Sequence, residues 1–247
     1  DVERIRSQLG LNDPMFVQLW RWILQLASGD LGTAIFSRKP VMELIGQRIE
    51  PTLLLSLCTI VFAVAVAVPL GTIAAWKSGS LIDRFVMFFS VGGFSVPVFV
   101  LAYCLIYVLP VQGYKSPFDH GLLTFLRHMV LPVMALSVIF ISLIARMTRA
   151  SVMEVLEEDY VRTARAKGQS EWKILMKHAV RNAAVPIVTV IGVGIALLIG
   201  GVVVTESVFN IPGLGRLVLD AVLSRDYPVI QGLILFFSFV YILINLP

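Results

Sequence analysis

The residues able to do chemistry in this sequence are sparse, and their spacing argues against most chemistries. His120, His128 and His178 lack ligand spacing, so no metal site is expected. Cys58 and Cys104 fall in separate apolar runs and form no CxxC pair, which makes them packing residues rather than a disulfide or metal clip. No GxxxxGK[ST] stretch occurs, so the chain has no phosphate-cradling loop and no expected ATPase of its own. What remains is one dense block of charge, "DYVRTARAKGQSEWKILMKHAVRN" from Asp159 to Asn182. It stands in a chain of 247 residues that is 57% hydrophobic and 15% charged, with a mean hydropathy of +0.87.

The elements that must position this block are apolar runs of membrane-crossing length, on the order of 20 residues. They are Thr52–Ala75, Val86–Leu109, Val130–Ala145 (long enough if extended to Phe125 or Met147), Val185–Thr205 and Val229–Pro247. Five such runs in so short a chain describe an all-α polytopic membrane protein rather than a soluble core. The opening "DVERIRSQLG" lacks the layout of a signal peptide. None of the five runs contains Asp, Glu, Lys, Arg or His, which disfavours a proton- or sodium-coupled carrier, an intramembrane protease or a pump. Small residues instead recur every fourth position, at Ala63, Ala67, Gly71 and Ala75 and again at Gly192, Ala196 and Gly200, spacing that lets helices approach closely in lipid. Pro69, Pro97, Pro132 and Pro186 lie in or beside four of the runs, where each can kink a helix.

Basic residues orient the bundle. Residues 75–85 and 146–181 hold half of the 20 lysines and arginines at about twice the density found in residues 1–51, 110–129 and 207–228. The first set is therefore expected on the cytoplasmic side and the second outside. Within residues 1–51, Asp13 and Pro14 read as the N-cap and first position of a helix. Phe16, Leu19, Trp20, Ile23, Leu24 and Ala27 form its apolar stripe, and Gly29 its stop. Trp20 and Trp22 suit a membrane interface, and packing against the rest of the protein suits it as well.

The charged block itself reads as a helix, a turn and a second helix. Glu157, Glu158 and Asp159 place negative charge where the helix dipole favours it, and Gly168 is a left-handed stop. Ser170 reads as the cap of a second helix whose stripe is Trp172, Leu175, Met176, Ala179 and Ala183, leading to Pro186 at the membrane edge. A DNA-binding helix-turn-helix also has a glycine turn, but six basic against four acidic side chains from Glu157 to Arg181, flanked by membrane spans, make a poor phosphate surface. A solvated connector and a docking knob, with Thr163, Ala164 and Ala166 as its small face, remain.

"EEDYVRTARAKGQSEWKILMKHAVRNAAVPIVT" resembles the cytoplasmic EAA-type loop of ABC importer permeases, in the form typical of the dipeptide/oligopeptide (peptide/nickel) permease family. Arg162, Thr163 and Ala164 occupy the Glu-Ala-Ala places and Gly168 the glycine; the first two depart from the general pattern and resemble the peptide subgroup. "ERIRSQLGLNDP", "GDLGTAIFSRKPVMELIGQRIEPTLLLSL" and "ESVFNIPGLGRLVLDAVLSRDYPVIQG" are similar to other segments of the same family, so the resemblance runs nearly end to end.

The resemblance implies a type I ABC importer permease fold, with five spans visible of an expected six and a further span expected before residue 1. It divides the chain into an external segment, 1–51, and a transmembrane domain, 52–247, containing a cytoplasmic coupling loop, 146–184, and an external loop, 206–228. It implies a multi-pass subunit in the bacterial cytoplasmic (inner) membrane that imports di- or oligopeptides or similar solutes. Implied partners are a homologous second permease subunit, cytoplasmic ABC ATPase subunits that use ATP and Mg, and an external solute-binding protein. This chain itself would bind no cofactor. Asp159, Tyr160, Arg162, Thr163, Ala164, Arg165, Ala166, Lys167 and Gly168 are the expected ATPase-docking residues. Asn210, Pro212, Gly213, Gly215 and Arg216 form the second candidate site, either a surface that helps receive the binding protein or solute or merely a tight turn with an amphipathic helix; there the glycines are expected to allow unusual backbone angles beside Pro212. The competing class is a secondary transporter or channel not coupled to ATP, for which the charged block would be an ordinary loop.

Overall fold

A computed structural model describes residues 14–108 and 112–245. The main elements are α1 (Met15–Ala27), α2 (Val41–Trp76), α3 (Leu81–Ser95), α4 (Val98–Val108), α5 (Pro117–His120) and α6 (Leu122–Leu156). They continue with α7 (Asp159–Ala166), α8 (Glu171–Lys173), a π-helical segment Ile174–Val180, α9 (Ala184–Val208), α10 (Leu214–Ser224) and α11 (Tyr227–Asn245). The fold of the described residues is all-α; the one isolated β-bridge pairs Thr33 with Pro40. Helices α2, α6, α9 and α11 are each long and apolar enough to cross a membrane.

The second apolar run is not a single straight span. Helices α3 and α4 are bent by 98° at a short break. Pro97 is the physical cause. It cannot donate a backbone hydrogen bond, and it forces the preceding residue out of the helical region; Val96 is extended, at φ −89° and ψ 121°. Pro51, Pro69 and Pro132 are instead carried inside continuous helices. Pro186 sits in the first turn of α9, where a missing N–H costs little.

Two helices overrun the boundaries expected from hydropathy. Helix α2 starts at Val41, so the division at 51/52 falls inside it, and α6 continues to Leu156, past the expected loop start at 146. Pro14 is the N-cap of α1 rather than its first helical residue, and Asp13 lies outside the described residues. The main core lies where α2 and α6 cross, with Leu55, Ala63, Ala67, Leu136, Phe140, Ile144 and Ala145 buried together and Leu198 and Val202 of α9 added. The small-residue stripe of α2 faces this crossing. A Cβ on Gly71 would sit 2.5 Å from the Ala145 carbonyl oxygen and 2.7 Å from Thr148 Cβ, so only glycine permits the approach. The matching stripe of α9 does not behave this way: a Cβ on Gly192 or Gly200 would meet nothing within 4 Å among the described residues, and one on Gly194 or Gly201 would meet Phe140 or Leu136 instead.

A second apolar cluster closes one end of the bundle. Ala34, Val41, Ile45, Leu214, Leu217, Ala221, Val229 and Leu233 join the segment before α2 to α10 and the start of α11. Nearby, Glu50 accepts hydrogen bonds from the Tyr114 hydroxyl at 2.6 Å and the Ser116 hydroxyl at 2.7 Å, tying the segment after α4 to α2. Burial, and then the Glu50 carboxylate beside it, push the Tyr114 phenol well above its usual pKa.

Candidate functional site

The charged block folds as a knob at the other end of the bundle. Helix α7 begins after an extended Glu158, with Asp159 in its first turn accepting from Arg162 at 3.1 Å. Lys167 is its C-cap, and Gly168 takes the left-handed conformation, φ +76°. The Gly168 amide donates to Arg165 O at 2.9 Å and the Gln169 amide to Ala164 O at 3.2 Å. This pair of bonds closes the helix C-terminus in a Schellman motif, which glycine satisfies without strain.

One face of α7 is held and the other is presented. Val161 and Ala164 are buried against Ile174, with Leu156 beside them. Tyr160, Arg162, Thr163, Arg165, Ala166, Lys167 and Gly168 are exposed, as is Asp159. Ala164 is therefore turned into the protein, and the small outward face consists of Thr163 and Ala166. Polar bonds fix the knob's shape: Arg165 makes a paired contact with Glu171 at 3.0 and 3.3 Å, and Asn182 Nδ2 donates to the Tyr160 hydroxyl at 2.9 Å.

The segment after the turn differs from the expected amphipathic α-helix. Ser170 occupies the N-cap position but its side chain makes no capping bond, and a single α-turn gives way to the π-helical Ile174–Val180. The wider π turn changes the register of the buried stripe. Ile174 joins Leu175, Ala179 and Ala183 inside, while Trp172 and Met176 turn out. Trp172 meets Trp76, the last residue of α2, edge to face at 6.2 Å.

This inner stripe joins the knob to the spans. Leu175, Ala179 and Ala183 pack with Ala75 of α2, Val152 of α6 and Ile187 of α9. A few residues away, Arg149 of α6 grips Asp83 of α3 through two bonds of 2.5 and 2.8 Å, and Asp83 also accepts from the Gly79 amide at 2.9 Å. Asp83 is nearly fully buried. Its position was readable from sequence, because Ser80 three residues earlier is an N-cap that accepts from the Asp83 amide. Its pairing with Arg149, 66 positions away, was not.

The second candidate site lies at the far end. Glu206, in the last turn of α9, is 0% exposed. Thr52 of α2 donates its hydroxyl to one carboxylate oxygen at 2.5 Å, and the Arg216 amide donates to the other at 3.0 Å. The Leu214 amide donates in turn to the Thr52 hydroxyl oxygen at 2.8 Å. The free amides that begin α10 are thus satisfied by a buried carboxylate and a hydroxyl, where the helix dipole favours negative charge.

This arrangement corrects the reason expected for the glycines. Neither Gly213 nor Gly215 has a positive φ; the left-handed residues of the 206–228 loop are Asn210, at φ +57°, and Arg225, at φ +58°. Glycine is required by close approach. A Cβ on Gly213 would overlap the Glu206 carboxyl group, and one on Gly215 would lie 2.6 Å from Val203 Cα. Arg216 donates to the Asn210 side-chain oxygen, and Pro212 is exposed. Glu206 and Thr52 went unread because each stands at the edge of an apolar run, where a polar residue reads as a boundary.

The two sites are connected, not adjacent. Thr52 and Ala75, which touch the loop end and the knob end respectively, are 23 positions apart on α2. That is about 35 Å of helix, slightly more than the hydrocarbon thickness of a bilayer.

Residues 67–247 match the family model described as the binding-protein-dependent transport system inner membrane component. The chain belongs to this family. It is a permease of the ABC importer class, the membrane component rather than a catalytic subunit. Across 99% of its length it is 50% identical to the probable peptide ABC transporter permease protein of Sinorhizobium fredii, covering 80% of that protein. It is 44% identical to the glutathione transport system permease protein of Escherichia coli K12, again over 99% of this chain and 79% of the relative. In fold it is similar to the inward-facing MetNI methionine ABC transporter, with a TM-score of 0.67, 18% identity, and coverage of 83% of this chain and 93% of that one. That likeness supports the type I permease architecture.

Proposed function

We propose that the chain is one of a pair of permease subunits in a bacterial inner membrane, and that it imports peptides or peptide-like solutes of glutathione size. An external binding protein delivers the solute, and cytoplasmic ATPase subunits supply the energy by hydrolysing ATP with Mg. The observation that carries this reading is the two-faced knob. Its outward side (Asp159, Tyr160, Arg162, Thr163, Arg165, Ala166, Lys167 and Gly168) is exposed and its polar contacts are with the knob's own residues, while its inward side is packed onto three spans at once.

In this reading the ATPase subunits grip α7, and their closure moves the knob as a rigid body. The contacts of Leu175, Ala179 and Ala183 with α2, α6 and α9 pass the displacement to the spans as rocking. Nothing in the chain needs to bind nucleotide. At the opposite end, Asn210, Pro212 and Arg216 form the outer side of the loop held by Glu206, and this is the surface on which the binding protein would release its solute. A Cβ on Gly192 or Gly200 of α9 would meet nothing among the described residues, and these two open positions suit the second permease subunit.

The test is uptake by the assembled transporter in proteoliposomes. Uptake of a labelled peptide or glutathione, presented with the cognate binding protein, requires enclosed ATP and persists when a protonophore collapses the proton gradient. Uptake that needs the gradient and ignores ATP would overturn the reading in favour of a secondary transporter. Calorimetric titration of the binding protein with dipeptides, oligopeptides and glutathione then identifies the cargo.

A further inference from the structure

Helix α1 has an apolar face that the described residues leave uncovered. Gln18, Arg21 and Gln25 form one narrow polar stripe, and nearly all other positions are apolar. Phe16 is 86% exposed, Trp20 63% and Leu24 54%, and Leu19 and Ile23 beside them are exposed as well. At 13 residues the helix is about 20 Å long, too short to cross a bilayer.

The point of attachment decides what meets this face. The helix ends at Ser28, and the chain turns through two left-handed glycines, Gly29 and Gly32, both at φ +81°. Gly32 lies against Pro228, and Leu31 against Gly232, in the first two turns of the spanning helix α11. Helix α1 is therefore tethered where a spanning helix enters the bilayer. A short helix with a broad apolar face, tryptophans, a Gln/Arg stripe and no acidic residue, fixed at that depth, matches the boundary between headgroups and acyl chains.

We propose that α1 lies in the plane of the membrane at the α11 entry level and buries Phe16, Leu19, Trp20, Ile23 and Leu24 in lipid, acting as a lateral anchor for the segment leading into α2. This rests only on the chain being embedded in a membrane and is independent of cargo, coupling and sidedness.

The experiment uses the assembled transporter in phosphatidylcholine vesicles with and without bromine on the acyl chains. The Trp20 contribution is the difference in emission between the transporter and its Trp20→Phe variant. Brominated lipid is expected to remove about half or more of that contribution, and aqueous iodide little of it. Quenching by iodide alone would place the face in water, and quenching by neither would place it under another protein; either result overturns the proposal. A nitroxide on Trp20→Cys gives a second reading that does not rely on emission. Collision with oxygen should exceed collision with a water-soluble nickel complex, and the reverse would contradict the anchor. Transport that proves to be independent of ATP would leave these outcomes unchanged, so the two readings fail separately.

Discussion

The two ends of the bundle are built on opposite plans. At the loop end, polar groups are turned inward: Glu206, Thr52 and the first amides of α10 satisfy one another out of water, and glycines fit around the carboxylate. At the knob end, α7 keeps only Val161 and Ala164 inside and displays its charge outward. The loop end is therefore specified by hydrogen bonds that cannot be given up, the knob end by a small apolar footing that leaves a surface free. A part that must hold its shape and a part that must be gripped differ in where they place their polar groups.

The largest expected effect comes from breaking the inward plan at its centre. Glu206→Ala strips Thr52 and the α10 amides of their buried acceptor and should cost about 3–5 kcal/mol, read as a lowered unfolding midpoint of the solubilised protein; Glu206→Gln, which keeps one acceptor, should cost less than half as much. Gly213→Ala comes next, at about 2–3 kcal/mol, because its new methyl group meets the same carboxyl group. Pro212→Ala, at an exposed position beside it, should stay within about 0.5 kcal/mol.

At the knob end the stability effects shrink and the functional ones grow. Asp83→Asn weakens a pair whose arginine keeps some water contact, so about 2–3 kcal/mol is expected, between the ranges of exposed and buried pairs. A double-mutant cycle with Arg149→Gln should recover most of that as coupling energy. Gly168→Val should cost less than the Asp83 change, about 1–2 kcal/mol for a β-branched residue in the left-handed region. Uptake should nonetheless fall by about tenfold or more while ATP hydrolysis by the complex persists, since the turn that sets the angle of α7 is distorted. Uptake at the unaltered level would remove the turn from the coupling route.

Much of this contrast was legible in the sequence, and unevenly so. The helix, the glycine stop and the exposed rim of the knob follow from local rules, namely dipole, cap and left-handed turn, and the structure reproduces them from Asp159 to Gly168. The polar partners were not legible, because Thr52 and Glu206 are 154 positions apart and Asp83 and Arg149 are 66 apart. Composition of an apolar run says nothing about which helix it touches. The π segment and the break at Pro97 fall between these cases. Pro97 announced a disturbance whose 98° size depends on tertiary packing, and the shift of Ile174 into the core reflects a backbone register that no side-chain periodicity of α type contains.

The central claim is that the outward side of α7 is where another subunit holds this chain. It is tested most directly by placing a photo-reactive benzoylphenylalanine at Thr163 in the assembled transporter, with Leu219, exposed on α10, as the control position. The account predicts an adduct between residue 163 and the ATPase subunit upon illumination, and none from residue 219. An adduct from neither position, or equal yields from both, would contradict it.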